Sequence, residues 1–195
     1  MYLTDLPQAQ WPVLHRAQQQ AYYLLKMPPT LIIFSGLPAT GKTTIARKLA
    51  HQIGAVYVRI DSIEQAIRDS GVIPDSVDDA GYRVGYSIAE DNLRLGRTVI
   101  ADSVNPLRLT RDAWVNVADR SGTSAIEVEI TCSDRQEHRL RAETRIAEVA
   151  GLGLPTWQEI VARDYDSWSR VHITIDTAGA SVDESVQQLR NALAK

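Results

Sequence analysis

Cysteine is nearly absent from this chain, because Cys132 is the only one among its 195 residues. A single cysteine excludes an internal disulfide, and no spacing of cysteine and histidine suggests a zinc site. Because Cys132 lies in an apolar, alternating segment, we expect a buried structural thiol rather than a reactive one.

Long hydrophobic runs are also missing. No apolar stretch approaches the length of a membrane span, and the sequence has no internal repeat or low-complexity tract. The first residues are polar and rich in glutamine rather than basic and then apolar. We therefore expect no secretory signal, no membrane partner and a cytoplasmic location.

A basic surplus is lacking as well. Lysine and arginine together number 21 against 24 aspartates and glutamates, which gives a net charge of −3. Proteins that follow nucleic acid through many phosphate contacts usually carry excess positive charge, so this balance disfavours a nucleic-acid partner. The length and the hydrophobic content of 44% fit one domain with a sizeable core. They give no information on the oligomeric state.

The apolar segments that are present are short and regularly spaced. Five of them are predicted strands, at residues 31–36, 55–61, 98–102, 125–131 and 171–176. Because helical patterns separate them, the sequence predicts an α/β fold of three layers, α/β/α, around a five-stranded parallel sheet. In such sheets ligands bind at the carboxyl ends of the strands.

Start and stop signals predict where the helices lie. The predicted helices cover residues 8–26, 42–53, 62–71, 76–96, 105–122, 133–150, and two segments that begin at 156 and 181. The predicted caps are Ser76 and Asn105–Pro106 at helix starts, Gly54 at a helix end, and capping boxes of Ser133 with Gln136, Thr156 with Glu159 and Ser181 with Glu184. Two glycines, Gly81 and Gly85, fall inside a predicted helix at a cost of about 1 kcal/mol each. Close packing, a ligand or a later helix start would explain them.

One motif stands out between the first strand and the first helix after it. The segment from Gly36 to Thr43 fits G-x-x-x-x-G-K-[ST] in the strand–loop–helix context that this motif requires. The two glycines let backbone N–H groups approach phosphate oxygens, the lysine reaches the outer phosphates, and the last hydroxyl is a magnesium ligand. A plain turn is the alternative. The residues predicted to bind the phosphates are Gly36, Leu37, Pro38, Ala39, Thr40, Gly41, Lys42, Thr43 and Thr44.

Carboxylates follow two neighbouring strands. Asp102 ends the third strand and is a candidate magnesium ligand with Thr43, the alternative being a cap for the next helix. Asn105 either orients Asp102 or a substrate, or caps that helix. Asp61 ends the second strand and is a candidate catalytic base, the alternative again being an N-cap. Arg68 is a candidate clamp for an acceptor anion or a solvated helix residue.

The most charged stretch, CSDRQEHRLRAETR, places Arg141 and Arg145 on one helix face near His138. Arginines that fold over a transferring phosphoryl group stabilise its charge, so both are candidate catalytic lid residues, with Arg163 a weaker one. The following GLGLP hinge favours a mobile lid. A surface ladder is the alternative, since Glu137 and Arg141 form a favourable i,i+4 pair.

Two further groups of residues are candidate ligand contacts. Thr177 and Ala178 follow the fifth strand, where we expect their backbone to contact an adenine ring. No N-K-x-D guanine signature is present, which favours ATP over GTP. Tyr82 and Tyr86, one helical turn apart, either line an acceptor pocket or belong to the core.

The GLPATGKT loop, the strand that ends at Asp61, ADSVN and HRLRAETR together resemble the small P-loop kinases, in the group of chloramphenicol phosphotransferase, zeta toxins and the kinase domain of polynucleotide kinase. Residues 31–178 are more closely similar to predicted-kinase AAA-domain proteins. The resemblance implies a sheet in the order 2-3-1-4-5 and transfer of a phosphate from ATP, with Mg²⁺, to a hydroxyl. It also implies Asp61 as the catalytic aspartate, Asp102 on the magnesium side and lid arginines within Arg141–Arg145.

We therefore predict one kinase-like domain over residues 1–195, with a helical lead-in (1–30), a helical insertion on the acceptor side (62–96) and a lid region (134–165). The insertion matches no known acceptor signature, so the sequence does not identify the acceptor. The kinase interpretation predicts a small-molecule partner that carries a hydroxyl group. The alternative function is a nucleotide-dependent switch that controls a protein and needs no acceptor pocket.

Overall fold

The computed structural model describes residues 28–71 and 77–194. Its five strands form one parallel sheet in the order β2-β3-β1-β4-β5, which confirms the predicted topology. The strands are β1 (Thr30–Ser35), β2 (Val56–Arg59), β3 (Val99–Asp102), β4 (Ser124–Thr131) and β5 (Ile173–Asp176).

Seven helices connect and follow these strands within the described residues. They are α1 (Lys42–Ile53), α2 (Ile60–Asp69), α3 (Ala80–Arg94), α4 (Arg108–Arg120), α5 (Arg135–Thr144), α6 (Trp157–Val161) and α7 (Val182–Leu193). The predicted lead-in helix over 8–26 and the predicted cap at Ser76 lie outside the described residues. None of the described helices has both the length and the apolarity that a membrane crossing requires.

The central strand β1 is buried along its whole length and divides the core into two clusters. On one face, Ile32 and Phe34 pack with α1 and α7. On the other, Leu31 and Ile33 pack with α3 and α4. The sheet is therefore covered on both faces, as the near-continuous apolar character of the strands predicts.

Three of the predicted helix signals are confirmed. Gly54 is left-handed after α1, and both Thr156 with Glu159 and Ser181 with Glu184 form reciprocal capping boxes. The predicted start at Asn105–Pro106 is wrong, because α4 begins at Arg108 after Leu107. Asn105 instead adopts a left-handed φ of 45°, is buried, and donates a side-chain hydrogen bond to the Phe34 carbonyl at 3.0 Å.

The predicted start of α5 is also wrong. Asp134 caps the helix by accepting from the backbone N–H groups of Gln136 and Glu137, whereas the Ser133 N–H donates to Asp176 at 2.9 Å. The helix ends at Thr144 rather than near Ala150, and Arg145 is extended. Cys132, just before this helix, is only partly buried, and that burial raises the pKa of its thiol.

The two glycines of α3 are explained by close packing and by a start at Ala80, later than predicted. A β-carbon on Gly81 would lie 2.3 Å from Cγ of Glu64, and one on Gly85 would lie 2.4 Å from Cδ1 of Ile60. Both glycines thus let α3 approach α2, which carries Asp61 and Glu64 towards the functional site.

Candidate active site

The loop between β1 and α1 has the strained backbone that a phosphate-binding loop requires. Gly36 has a φ of 139°, and a β-carbon there would lie 2.3 Å from the Ile130 carbonyl oxygen. Ala39 and Gly41 also have positive φ values, 68° and 92°. No described side chain caps the start of α1, so its first N–H groups point into the loop and can bind an anion.

Contacts from three other elements hold this loop in place. The His138 ring nitrogen Nε2 lies 2.8 Å from the Pro38 carbonyl oxygen. The Thr177 hydroxyl oxygen lies 2.8 Å from the Thr40 carbonyl oxygen. Leu37 and Ala39 pack against Ala142, Trp157 and Ile160 of α5 and α6. The loop is therefore preorganised, and His138, predicted near the lid arginines, supports the loop instead.

A buried charge pair lies directly beneath the loop. Asp102 is 1% exposed; its Oδ1 accepts from Nζ of Lys42 at 2.7 Å and its Oδ2 from the Tyr57 hydroxyl at 2.6 Å. Burial alone would raise the pKa of Asp102, but the Lys42 ammonium and the hydroxyls of Tyr57 and Thr43 hold it below its ordinary value. Asp102 is thus an anion at neutral pH, next to the loop.

The donor set around Asp102 fits magnesium. Thr43 follows Lys42, the partner of Asp102, so its hydroxyl and the Asp102 carboxylate offer two hard oxygen ligands at the same end of the loop. Among the described residues no group of three or more histidines, cysteines or carboxylates could hold a metal by itself. Mg²⁺ commonly takes only one or two protein ligands and completes its shell with phosphate oxygens and water, so this sparse set suits a nucleotide-bound ion.

The Tyr57–Asp102 hydrogen bond predicts a measurable stability effect. Tyr57→Phe removes a donor to a buried carboxylate, and we expect it to lower the free energy of unfolding by about 1.5–3 kcal/mol. Urea denaturation of the wild type and the variant measures this difference. Tyr86→Phe is the matched control, because the Tyr86 hydroxyl makes only a long bond of 3.4 Å to a carbonyl. Equal losses in the two variants would contradict the special role of Tyr57.

A cleft of about 790 Å³ extends from the loop past the start of α2 to the segment at 145–155. Lys42, Thr43, Asp61, Arg145 and Thr177 are on its walls, together with Arg141 and the loop residues Leu37, Pro38, Ala39, Gly41 and Thr44. Asp102 lies behind Lys42. Tyr82 and Tyr86 do not line the cleft, because they pack in the core beside α4.

Asp61 enters the cleft from the first turn of α2 rather than from the end of β2. The cap position before α2 belongs to Arg59, so the N-cap interpretation of Asp61 is wrong. Arg59 lies 3.6 Å from Asp61 and 3.1 Å from Glu148. The Asp61 carboxylate therefore lies beside the Arg59 guanidinium group and on the wall of the cleft.

Arg145 lies near Asp61 across the same cleft. Partial burial lowers the pKa of the Arg145 guanidinium, and the charge of Asp61 opposes that effect. Its Nε is buried without a partner among the described residues, and its Nη2 makes only a 3.5 Å bond to the Pro155 carbonyl. A half-buried cation with so few partners favours an anionic ligand.

Arg141 is held at the other end of the cleft. It donates to the hydroxyl and carbonyl oxygens of Thr177 at 2.8 and 2.9 Å and to Glu137 at 2.5 Å. The i,i+4 pair with Glu137 is therefore present, but the same side chain also reaches the end of β5. The Ala178 N–H, predicted to face an adenine, donates to Asp176 at 3.1 Å.

Several residues of this site escape prediction from the sequence. Tyr57 and Arg59 alternate with Val56 and Val58 along β2, so their periodicity predicts one shared face but no partner. Glu148 bridges Arg47 of α1 and Arg59, at 3.0 and 3.1 Å, across a sequence distance that no local pattern reveals.

The parallel order 2-3-1-4-5 with a glycine-rich loop after β1 is the fold of the small P-loop kinases. Residues 31–151 match the family described as AAA domain, and the chain belongs to that family.

Solved structures share the fold at low sequence identity. The chain is similar to Mycobacterium tuberculosis APS kinase in complex with AMPPNP and APS (19% identity, TM-score 0.62, 86% of this chain and 99% of that one). It is similar to a gluconokinase from Sinorhizobium meliloti (20% identity, TM-score 0.60, 85% of this chain and 92% of that one). It is also similar to Chaetomium thermophilum Kti12 in complex with ADP-AlF3 (19% identity, TM-score 0.63, 84% of this chain and 96% of that one).

Curated relatives are longer than this chain. Uncharacterized proteins of Mycobacterium tuberculosis and Mycobacterium bovis are 28% identical over 181 residues, which cover 84% of this chain. The chain spans only 35% of the length of these relatives.

Proposed function

We propose that this protein is an ATP- and Mg²⁺-dependent phosphotransferase that moves the γ-phosphate to a hydroxyl group of a small molecule. The observation that carries the proposal is the placement of Asp61 and Arg145 on the same cleft as Lys42 and Thr43. A phosphate loop alone serves many functions, whereas a carboxylate and a guanidinium with few partners beside it suit transfer to an acceptor.

The proposed mechanism assigns one task to each side chain. Backbone N–H groups of the loop bind the phosphates. The Lys42 ammonium group leaves Asp102 and donates to the outer phosphate oxygens. Thr43 and Asp102 would hold Mg²⁺, which would neutralise charge on the outer phosphates. Asp61 accepts the hydroxyl proton as the acceptor oxygen bonds to Pγ and the bond from Pγ to the bridging oxygen breaks, which releases ADP. Arg145 stabilises charge on the transferring group, and Arg141 with Thr177 fixes the adenine side.

The names of two structural neighbours support this proposal, since one is an APS kinase and one a gluconokinase. The division into a single domain with a lid over residues 134–165 and the cytoplasmic location stay predictions.

An acceptor screen tests the proposal. The purified chain is incubated with ATP, Mg²⁺ and a panel of hydroxyl-bearing metabolites, and both ADP release and the phosphorylated product are measured. We expect at least one metabolite to raise ADP release well above the rate with water alone and to carry the phosphate. A basal ATPase that no small hydroxyl compound stimulates would contradict the proposal.

The alternative is a nucleotide-dependent switch that controls a protein. The bridge from Glu148 to Arg47 and Arg59 favours it, because this bridge connects the segment at 145–155 to the helix that follows the phosphate loop. Nucleotide consumption that a protein stimulates, but no metabolite does, would support the switch.

A further inference from the structure

The part of the cleft beside α2 is rich in arginine. Four arginines line it, Arg59, Arg68, Arg145 and Arg163, against the three carboxylates Asp61, Glu64 and Glu148. The chain as a whole is acidic, with a net charge of −3, so this local excess of positive charge runs against the average surface. Guanidinium groups bind carboxylate and phosphate oxygens with two parallel hydrogen bonds, which lysine cannot do.

Glu64 and Arg68 form a salt bridge on the cleft side of α2. Their side chains lie 3.3 Å apart, one helical turn from each other on α2. The stem of Glu64 lies so close to Gly81 of α3 that any β-carbon there would lie 2.3 Å from it. A glycine at position 81 therefore leaves the space that the Glu64 side chain occupies. Glu64 in turn holds Arg68 towards the cleft.

Arg163 approaches the same point from the segment after α6. Arg163 lines the same cleft as Glu64, and its charge opposes the effect of burial, which raises the pKa of that carboxyl. Arg163 nevertheless makes no salt bridge with any residue in the described part of the chain. Arg163 is exposed at the cleft, so its guanidinium group is accessible to a ligand on the α2 side.

We infer that the acceptor carries an anionic group, a carboxylate or a phosphate, in addition to the hydroxyl that is phosphorylated, and that Arg68 and Arg163 bind this group. The inference rests on the proposed function, because it describes the acceptor of the same reaction. Asp61 receives the hydroxyl, Arg145 faces the transferring phosphate, and Arg68 with Arg163 selects the acceptor by its charge.

The spacing along α2 limits the size of this acceptor. Asp61 and Arg68 are seven residues apart, so their backbones are separated by about 10 Å along the helix axis. The arginine side chain shortens this span, which leaves room for several covalent bonds between the hydroxyl and the anionic group. A sugar acid or a sugar phosphate has these dimensions and this chemistry, whereas a neutral polyol offers no anionic group to either guanidinium group.

Fractionation of a metabolite extract tests this inference whichever anionic compound the acceptor is. Small molecules from a bacterial extract are separated on an anion exchanger at neutral pH, and each fraction is incubated with the enzyme and ATP labelled at the γ-phosphate. We expect the labelled product to arise from the retained fraction. Labelling only in the unretained fraction would overturn the inference and leave the proposed kinase activity standing. Labelling in neither fraction would overturn the kinase activity itself, and the inference with it.

Phosphatase treatment of the retained fraction, followed by removal of the phosphatase, distinguishes the two anionic groups. Loss of labelling identifies a phosphate on the acceptor, and unchanged labelling identifies a carboxylate.

Variants connect the selectivity to the two arginines. Arg68→Gln and Arg163→Gln should raise the amount of the retained fraction needed for half-maximal labelling by about tenfold to a hundredfold, with the KM for ATP unchanged. Arg68→Lys should recover part of the loss, because it keeps the charge. Arg83→Gln is the control, since Arg83 is exposed on α3 and pairs with Asp79 at 2.7 Å. An unchanged acceptor requirement in both glutamine variants, or an equal rise in the KM for ATP, would overturn the assignment.

Discussion

Asp61→Asn is expected to lower the rate of phosphoryl transfer by about two to four orders of magnitude while nucleotide affinity stays close to that of the wild type. Asparagine has nearly the same shape as aspartate but cannot accept the hydroxyl proton. Asp61 lies in the first turn of α2 and belongs neither to the phosphate loop nor to the Lys42–Asp102 pair, so the nucleotide keeps its contacts. Single-turnover transfer to the acceptor and calorimetric binding of AMPPNP measure the two quantities separately.

Asp91→Asn is the matched control for this prediction. Asp91 is exposed on α3, and its substitution should change neither rate nor affinity. If Asp61→Asn retained full turnover with the acceptor, Asp61 would not be the base. A fall in the rate caused by partial unfolding would also lower AMPPNP affinity, so the binding measurement separates the two causes.

Lys42→Met is expected to affect both stability and binding. Lys42 and Asp102 are a buried pair, with side-chain exposures of 8% and 1%. Removal of the ammonium leaves an uncompensated buried carboxylate, which destabilises a protein by about 3–5 kcal/mol in comparable pairs. The Tyr57 hydroxyl still donates to Asp102, so we expect the lower end of that range. Loss of the contact to the phosphates should weaken nucleotide binding by about tenfold to a hundredfold.

The double variant Lys42→Met/Asp102→Asn separates these two effects. Neutralising Asp102 removes the buried charge, so urea denaturation should show that most of the lost stability returns. Nucleotide binding should not return, because the phosphate contact and the magnesium ligand are both gone. Recovery of binding together with stability would mean that Lys42 acts only as the structural partner of Asp102.

Much of the fold follows from local patterns in the sequence. Short apolar segments alternate with helical ones, and this fixes the class and the parallel sheet before any contact is known. The predicted strand bounds agree with β1 and β4 to within a residue. Helix starts are harder to predict, because Asn105 and Ser133 have the chemistry of caps but make tertiary hydrogen bonds to Phe34 and Asp176 instead. A residue that caps well also accepts or donates elsewhere when its neighbours offer a better partner.

Some residues of the candidate site can likewise be predicted from the sequence, and others cannot. The phosphate loop is local, so its glycines, lysine and threonine are evident from spacing alone. Asp61 and Asp102 follow neighbouring strands, and the edge rule for parallel sheets predicts that they approach the loop. The roles of Glu148 and Tyr57 are not predictable, because their partners are 89 and 45 residues away and no periodicity signals such pairs. The separation of Arg141 from Arg145 depends on where α5 ends, and the sequence pattern misplaces that end.

The central claim is that the loop from Gly36 to Thr43 binds a nucleoside triphosphate with a divalent cation. Calorimetric titration of the full chain with AMPPNP, with Mg²⁺ and then with a chelator in its place, tests it most directly. We predict one bound nucleotide per chain with Mg²⁺, a clearly weaker affinity with the chelator, and the loss of binding in Lys42→Met/Asp102→Asn. The absence of nucleotide binding in the wild type under both conditions would contradict the claim, as would an affinity that neither Mg²⁺ nor the double substitution changes.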